Sequence, residues 1–247
     1  MAVAICISVE PGVSILSDLS RSVKGLLSWP SKRQTVQDRI NSTVSPSAGS
    51  NSIPLSLDRF KAGLLRERNK VDHKGTRSLF GQAFQQLSSK PPDVFRLRVN
   101  DRAWKTNFVG EHATDAGGPY REGLSVMCQE LQSTHLPLFT LCPNGSADVG
   151  LNRNAYIPVV SSTSSLHISM YEFLGKLMGL AMRTEDYLGL QFPPIIWKGI
   201  LGDTITENDV TDVDIFAFNY LGTFYSVVSC GVILFSSELV ILWCMVL

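Results

Sequence analysis

Neither sign of charge is in excess in this chain. Its 247 residues hold 22 basic and 22 acidic side chains, so the formal net charge is zero. A nucleic-acid-binding domain normally carries a basic surplus, and we therefore expect no nucleic-acid partner. Hydrophobic residues make up 44% of the chain, which is enough for a substantial core. A protein-binding surface and a small-molecule site both remain open.

Cysteines are few, scattered and odd in number, and none stands in CxxC spacing; they are Cys6, Cys128, Cys142, Cys230 and Cys244. This pattern argues against a zinc module and against a disulfide framework. The first residues also lack the basic segment that opens a secretory signal peptide. We therefore expect a reducing, cytoplasmic environment, and we expect neither a metal nor a cofactor.

Composition and periodicity divide the chain into four regions. Apolar residues recur at helical spacing over 13–27, and Pro30 is expected to end that helix. A Ser- and Pro-rich stretch predicts a linker, and Ile53 is the expected start of the folded domain. The predicted regions are an amphipathic helix region at 1–30, a linker at 31–52, a folded domain at 53–219 and an apolar tail at 220–247.

The folded region is predicted to be α+β and mainly helical. Helices are expected over Leu79–Leu87, capped by Thr76 and stopped by Pro91 and Pro92, over 120–131, over 171–183, and after the pair Pro193-Pro194. The stretch "FRLRVNDRAWKTNFVG" alternates apolar and polar residues on both sides of Asn100-Asp101. This pattern predicts a β-hairpin over 95–109 that packs against the helices.

The stretch "EHATDAGGPYREG", residues 111–123, has the density of polar groups expected of a site. Glu111, His112 and Asp115 are candidate metal ligands, but no second His or Cys lies within the stretch to complete a zinc-like set. The glycine pair matches neither of the phosphate-binding loops GxxxxGK[ST] and GxGxxG. A turn that starts a helix is the favoured interpretation.

Three residues of this stretch are typical of a turn. Gly117 and Gly118 permit positive φ, and Pro119 suits the first turn of a helix because its missing N–H would be unpaired there anyway. We expect Asp115 and Glu122 to hold the turn through backbone N–H groups or through Arg121.

A second pair of glycines lies in the helical stretch "YEFLGKLMGLAMRTE". Gly175 and Gly179 are four residues apart and therefore share one side of the helix. Each glycine costs about 1 kcal/mol relative to alanine in a helix interior. We therefore predict that another element packs closely against the helix backbone at this pair.

The residues from Phe224 to Leu247 form an apolar run with one charge, Glu238. The run is long enough to span a bilayer. Glu238 near its middle would be costly there, and no Lys or Arg flanks the run, which argues against a membrane span.

The ordered segments "FVGEHATDAGGPYREGL", "LPLFTLCPNG" and "YEFLGKLMGLAMRTEDYLGLQFPPIIWKGILG" resemble the HECT domain of E3 ubiquitin ligases. The resemblance covers roughly residues 53–219, which correspond to part of the N-lobe. The motif "VGE…DAGGPYRE" is similar to that of the very large, HERC-like members of the family. The positions that match the family motifs are Asp115, Gly117, Gly118, Arg121, Glu122, Gly175, Lys176 and Gly179.

The resemblance implies acyl transfer through a cysteine. In the family, an E2 enzyme passes ubiquitin to a Cys thiolate in the C-lobe, and that thioester acylates a substrate lysine. The E2-docking segment and the C-lobe with its Thr-Cys motif should follow "DIFAFN", where this sequence has the apolar tail instead. Cys230 and Cys244 lack the Thr-Cys context and the polar neighbours that would lower a thiol pKa. We therefore predict a HECT chain truncated before the catalytic C-lobe, with no catalytic cysteine.

Two other functions stay open at this point. One is a non-catalytic scaffold or binding module that competes with the full ligase for E2 or substrates. The other is a tail-anchored membrane protein that uses residues 224–247.

Overall fold

The computed structural model of the protein describes residues 28–44, 53–111 and 117–216. The helices are α1 (Trp29–Ser42), α2 (Arg59–Glu67), α3 (Leu79–Leu87), a 3-10 helix (Pro92–Phe95), α4 (Gly118–Leu131), α5 (Pro143–Ser146), α6 (Ser165–Thr184), α7 (Pro194–Leu201) and α8 (Glu207–Thr211). The strands are β1 (Ile53–Leu57), β2 (Trp104–Phe108), β3 (Phe139–Leu141) and β4 (Tyr156–Pro158). This arrangement confirms the α+β class with a helical majority.

The helices predicted at 79–87, 120–131, 171–183 and after Pro193-Pro194 are confirmed, with differences in caps or starting residues. The cap of α3 is Ser78, whose Oγ accepts a hydrogen bond from the Gly81 N–H at 3.1 Å, and not Thr76. Helix α6 begins at Ser165, before the predicted residue 171, because Ser164 accepts a bond from the His167 N–H at 3.2 Å. A side-chain oxygen at the N-cap satisfies a backbone donor that would otherwise lack a partner.

The predicted β-hairpin over 95–109 is wrong in its first half. Strand β2 is present, and its alternation holds, with Trp104, Thr106 and Phe108 buried. Its partner is β1, which lies far upstream and runs parallel to it, with Ile53 opposite Trp104 and Leu57 opposite Phe108. The antiparallel pair in the described residues is instead β3 with β4.

The backbone of the missing strand forms other bonds. Pro91 and Pro92 fix φ and start the 3-10 helix. The Asp101 N–H donates to the Arg98 carbonyl at 3.1 Å, and the Asn100 N–H donates to the Thr184 carbonyl at 3.3 Å. Residues 95–98 therefore alternate between buried and exposed although they do not form a β-strand.

Helix α3 covers β1 through two glutamine side chains. The Gln86 amide accepts a bond from the Ser56 N–H at 3.1 Å and donates to the Ser56 carbonyl at 2.7 Å. The Gln82 Oε1 accepts a bond from the Asp58 N–H at 2.6 Å. These bonds satisfy backbone groups at an edge of the sheet, where unpaired groups would otherwise invite association with another strand.

Aromatic contacts join the helices in the core. The rings of Phe80 on α3 and Phe173 on α6 have centroids 5.6 Å apart. The rings of Trp104 on β2 and Tyr120 on α4 are 5.1 Å apart. All four side chains are almost fully buried, so α3, α4, α6 and the β1–β2 sheet share one core.

The buried carboxylate of Asp72 organises the turn before α3. It accepts bonds from the backbone N–H groups of Thr76, Arg77 and Ser78 and from the Ser78 hydroxyl, at 2.8 to 3.0 Å. Burial raises the pKa of Asp72, but these donors outweigh burial and hold the pKa below its usual value of 3.8.

Residues 29–42, most of which fall in the predicted linker, form a helix. Pro30 lies in the first turn of α1, so it starts a helix here. The acidic segment that follows Thr206 is also helical, because Thr206 and Asp209 form a capping box at the start of α8. The predicted helix at 13–27 and the apolar tail at 220–247 lie outside the described residues. Within the described parts of the chain, no helix has the length and apolar content needed to cross a bilayer.

Candidate functional site

The turn before α4 depends on one glycine. Gly117 has φ of 110°, in the left-handed region that favours glycine, and it is the N-cap of α4. A Cβ at this position would lie 2.5 Å from Nη2 of Arg102. The predicted role of Gly117 as a turn residue is therefore explained by its backbone conformation, because the flexible end of Arg102 could move away from an added Cβ.

Gly118 differs from Gly117. Its φ does not lie in the left-handed region, and a Cβ there would meet no atom within 4 Å. It is the first residue of α4, followed by Pro119 in the first turn. The geometry of the turn thus gives a reason for one glycine of the pair, and none for the second.

A residue that the sequence analysis missed, Arg59, links the two sides of this turn. Its Nη2 lies 2.6 Å from Oε1 of Glu122 on α4, and its Nη1 lies 3.4 Å from Oε2 of Glu111 after β2. Its guanidinium also lies over the ring of Phe108, at 3.6 Å from the centroid. We call these four residues the Arg59 clamp.

The clamp corrects the predicted partner of Glu122. Glu122 pairs with Arg59, and Arg121 instead approaches Asp186 beyond the end of α6, with 3.7 Å between Nε and Oδ1. Adjacent residues on a helix point in different directions, which explains why Arg121 and Glu122 have separate partners. Residues 112–116 lie outside the described residues, so the predictions for His112 and Asp115 remain predictions.

A small polar pocket lies beside the turn. It has a volume of about 190 Å³ and is lined by Asn100, Asp101, Arg102, Tyr120, Arg121 and Asp186. The loop before β2, the start of α4 and the residues after α6 therefore meet there. Arg121 is the family-motif residue that lines it, and its side chain is largely exposed.

The second motif, on α6, lies elsewhere in the core. Lys176 Nζ donates to the Ser88 carbonyl at 3.0 Å, just beyond the end of α3, and a cation is favourable at a helix C-terminus. Gly175 is buried, as the packing prediction requires. The prediction is wrong for Gly179, where a Cβ would meet no atom within 4 Å. The two motifs support the same core from different sides.

The metal interpretation gains no support from the described residues. Among them, no group of three or more His, Cys, Asp and Glu side chains could hold a metal ion. Glu111, one of the three candidate ligands, has Arg59 as an ion-pair partner.

The two described cysteines are buried and free of disulfides. Burial raises the pKa of Cys128 to about 11, although a backbone hydrogen bond from Gly189 acts in the opposite direction. The Cys142 thiol donates to the Asn152 carbonyl at 2.8 Å between heavy atoms. A nucleophilic cysteine must be a thiolate that its substrate can reach, and neither side chain meets that condition. Cys6, Cys230 and Cys244 lie outside the described residues.

Comparison with known proteins identifies a family for part of the chain. The family model described as HECT-domain (ubiquitin-transferase) matches residues 125–227. The match continues past residue 219, where the sequence analysis ends the resemblance, and it does not include the turn at Gly117.

Curated proteins of the same family are also similar. The human E3 ubiquitin-protein ligase HERC2 is 38% identical over 164 residues, which are 66% of this chain and 3% of that protein. The human probable E3 ubiquitin-protein ligase HECTD4 is 30% identical over 220 residues, which are 86% of this chain and 5% of that protein. The yeast (Saccharomyces cerevisiae) E3 ubiquitin-protein ligase TOM1 is 29% identical over 136 residues, which are 55% of this chain and 4% of that protein.

The chain thus spans only a small part of the length of the curated relatives that it matches. The family match runs from the middle of α4 through α8 and includes the second motif. On this basis, the chain is a fragment-length member of the HECT-domain family, similar to very large HECT-type E3 ubiquitin ligases.

Proposed function

We propose that this chain acts in protein ubiquitination as an N-lobe scaffold of a HECT-type ligase. The observation that carries the proposal is the HECT-domain match over residues 125–227. Relatives named as E3 ubiquitin-protein ligases support it. On this proposal, a ubiquitin-conjugating enzyme E2 and ubiquitin are the partners of the full-length ligase to which the scaffold belongs, in a cytoplasmic setting.

We further propose that the 247-residue chain does not itself accept ubiquitin as a thioester. The transfer requires an accessible thiolate that attacks the E2-bound ubiquitin carbonyl and displaces the E2 thiol. Cys142 is fully buried, and the raised pKa of Cys128 keeps its thiol protonated near neutral pH. The contribution of the described residues is therefore positional, through the core that joins α3, α4 and α6.

The test is incubation of the full chain with E1, an E2, ATP and ubiquitin, followed by a non-reducing gel. We expect no ubiquitin adduct that dithiothreitol removes, while a complete HECT ligase in a parallel reaction forms one. A dithiothreitol-sensitive adduct on this chain would overturn the proposal. Single Cys→Ser variants at each of the five cysteines would then identify the acceptor.

The scaffold function has its own readout. Immobilised chain should retain an E2 or a ligase substrate without becoming ubiquitinated, and excess free chain should slow ubiquitination by a complete related ligase. Absence of both effects would count against a scaffold that competes for ligase partners. The Gly117→Val chain is a suitable comparison, since its core is expected to be destabilised.

A further inference from the structure

A basic pocket lies between the C-terminal part of α1 and helix α6. Its volume is about 260 Å³, and its lining includes the cationic side chains of Arg96, Lys176 and Arg183. Thr43, which follows α1, contributes a hydroxyl group. The apolar part of the lining includes Ile40, Phe95, Leu180 and Met182. None of the described residues that line this pocket is acidic.

The hydrogen bonds of two of these cations go to neutral oxygens. Lys176 Nζ donates to the Ser88 carbonyl at 3.0 Å. Arg183 donates through Nη1 to the Ile40 carbonyl at 3.1 Å and through Nη2 to the Thr43 hydroxyl at 2.7 Å. Arg96 pairs with Asp93 at 3.2 Å, with both side chains at least half exposed. Among the described residues, Asp93 is therefore the carboxylate that forms an ion pair with these cations, and it pairs with Arg96.

The pocket consequently keeps an excess of positive charge. The C-terminus of α1 adds roughly half a negative charge near Arg183, and Asp93 adds one more, against three cations. Burial, followed by the charge of Arg96, lowers the pKa of Arg183 below its usual value. An anion placed among the three side chains would relieve this repulsion.

We propose that the basic pocket binds a small organic phosphate monoester. A phosphate monoester carries a charge of about −1.5 to −2 at pH 7, which matches the excess, and Arg and Lys are the side chains that hold its oxygens best. The apolar lining suits the carbon part of such a ligand. Residues at the C-terminal end of α1 form one wall of the pocket, and its volume suits a small ligand.

The experiment is isothermal titration of the full chain with phenyl phosphate at fixed ionic strength. We expect saturable binding that becomes about tenfold weaker in Arg96→Gln, because one charge-assisted hydrogen bond is lost. Arg153→Gln is the matched control. Arg153 also has a half-exposed side chain in a single exposed ion pair, at 2.9 Å from Asp148, and it does not line the pocket.

Two further ligands define the chemistry that is recognised. Phenol, which lacks the phosphate, should not bind measurably, and inorganic phosphate should bind more weakly than phenyl phosphate. The proposal is overturned if phenyl phosphate shows no saturable binding, if phenol binds equally well, or if Arg96→Gln and Arg153→Gln behave alike. Circular dichroism of each variant shows whether it is folded. These outcomes do not depend on ubiquitin transfer. The proposal of phosphate-monoester binding can therefore be correct even if the proposed scaffold function is wrong.

Discussion

The guanidinium of Arg59 lies 3.6 Å from the centroid of the Phe108 ring while its two terminal nitrogens approach Glu111 and Glu122. One arginine at the start of α2 thereby joins the end of β2 to the second turn of α4. Arginine suits this position better than lysine, because its planar group can stack on a ring and meet two carboxylates at once.

The Arg59–Glu122 pair should contribute measurably to stability. A double-mutant cycle with Arg59→Gln and Glu122→Gln is expected to give a coupling free energy of about 0.5–1 kcal/mol, since Arg59 is partly shielded by its neighbours. Urea unfolding at low salt measures the coupling, and 1 M NaCl should reduce it. The same cycle on the more exposed Arg153–Asp148 pair should give a smaller coupling free energy. Equal coupling free energies would show that the Arg59–Glu122 pair contributes no more to stability than an ordinary surface ion pair.

Gly117→Val should lower the free energy of unfolding by about 1–3 kcal/mol, because a β-branched residue is strained at this φ. The added atoms would also meet Arg102. Thermal and urea unfolding provide the measurement. Gly118→Ala is the matched control and should change stability by less than about 0.5 kcal/mol. If the two substitutions had equal effects, the distinction between the two glycines would be wrong.

Asp72→Asn should destabilise the chain by about 1–3 kcal/mol at pH 7, because a buried charged acceptor of four hydrogen bonds is lost. The pKa of Asp72 is lowered in the folded state. Its contribution is therefore fully present above its unfolded pKa, near 3.8, and is lost as pH falls through the lower, folded value.

The pH dependence separates this effect from a general loss of packing. Urea unfolding at several pH values should show the gap between wild type and Asp72→Asn narrowing below pH 3.8. A gap that stays constant down to the lowest pH at which both fold would show that the charge of Asp72 is not its cause.

Two helix-interior glycines should respond to alanine in opposite ways. Gly179→Ala is expected to stabilise the chain by about 0.5–1 kcal/mol, since alanine is the better helix former and the space is open. Gly81→Ala should destabilise it, because the new Cβ would lie 2.5 Å from the backbone of Gly75. Thermal unfolding of both variants tests the pair. If Gly179→Ala lowered the stability of the chain, the result would support the close packing at Gly179 that the sequence predicts.

Local periodicity was sufficient to locate α3, α4, α6 and α7, because each helix carries its own apolar face and a proline or capping residue near its start. The partner of β2 could not be found in this way. Alternation at 95–99 is the same whether the segment pairs with its neighbour or packs as irregular chain, and only the fold brings Ile53 beside Trp104.

The candidate site was predictable to a similar degree. Gly117 and Pro119 predict a turn because of their own backbone preferences. The contacts of Arg59 could not be predicted from the residues around it in the sequence. Glu111, Glu122 and Phe108 lie near Arg59 only after β2 and α4 have packed. The open space beside Gly179 depends on how other elements pack around α6. The spacing of four residues between the two glycines does not show it.

The parallel pairing of β1 with β2 affects how the chain folds during synthesis. Strand β1 leaves the ribosome well before its partner, and α2 and α3 emerge between the two. Pairs of distant segments must close a large loop before they gain contact energy, which slows folding. Until Trp104–Phe108 emerges, the apolar side chains of Leu55 and Leu57 lack the strand beside which they are buried. During this interval they can take part in aggregation or bind chaperones.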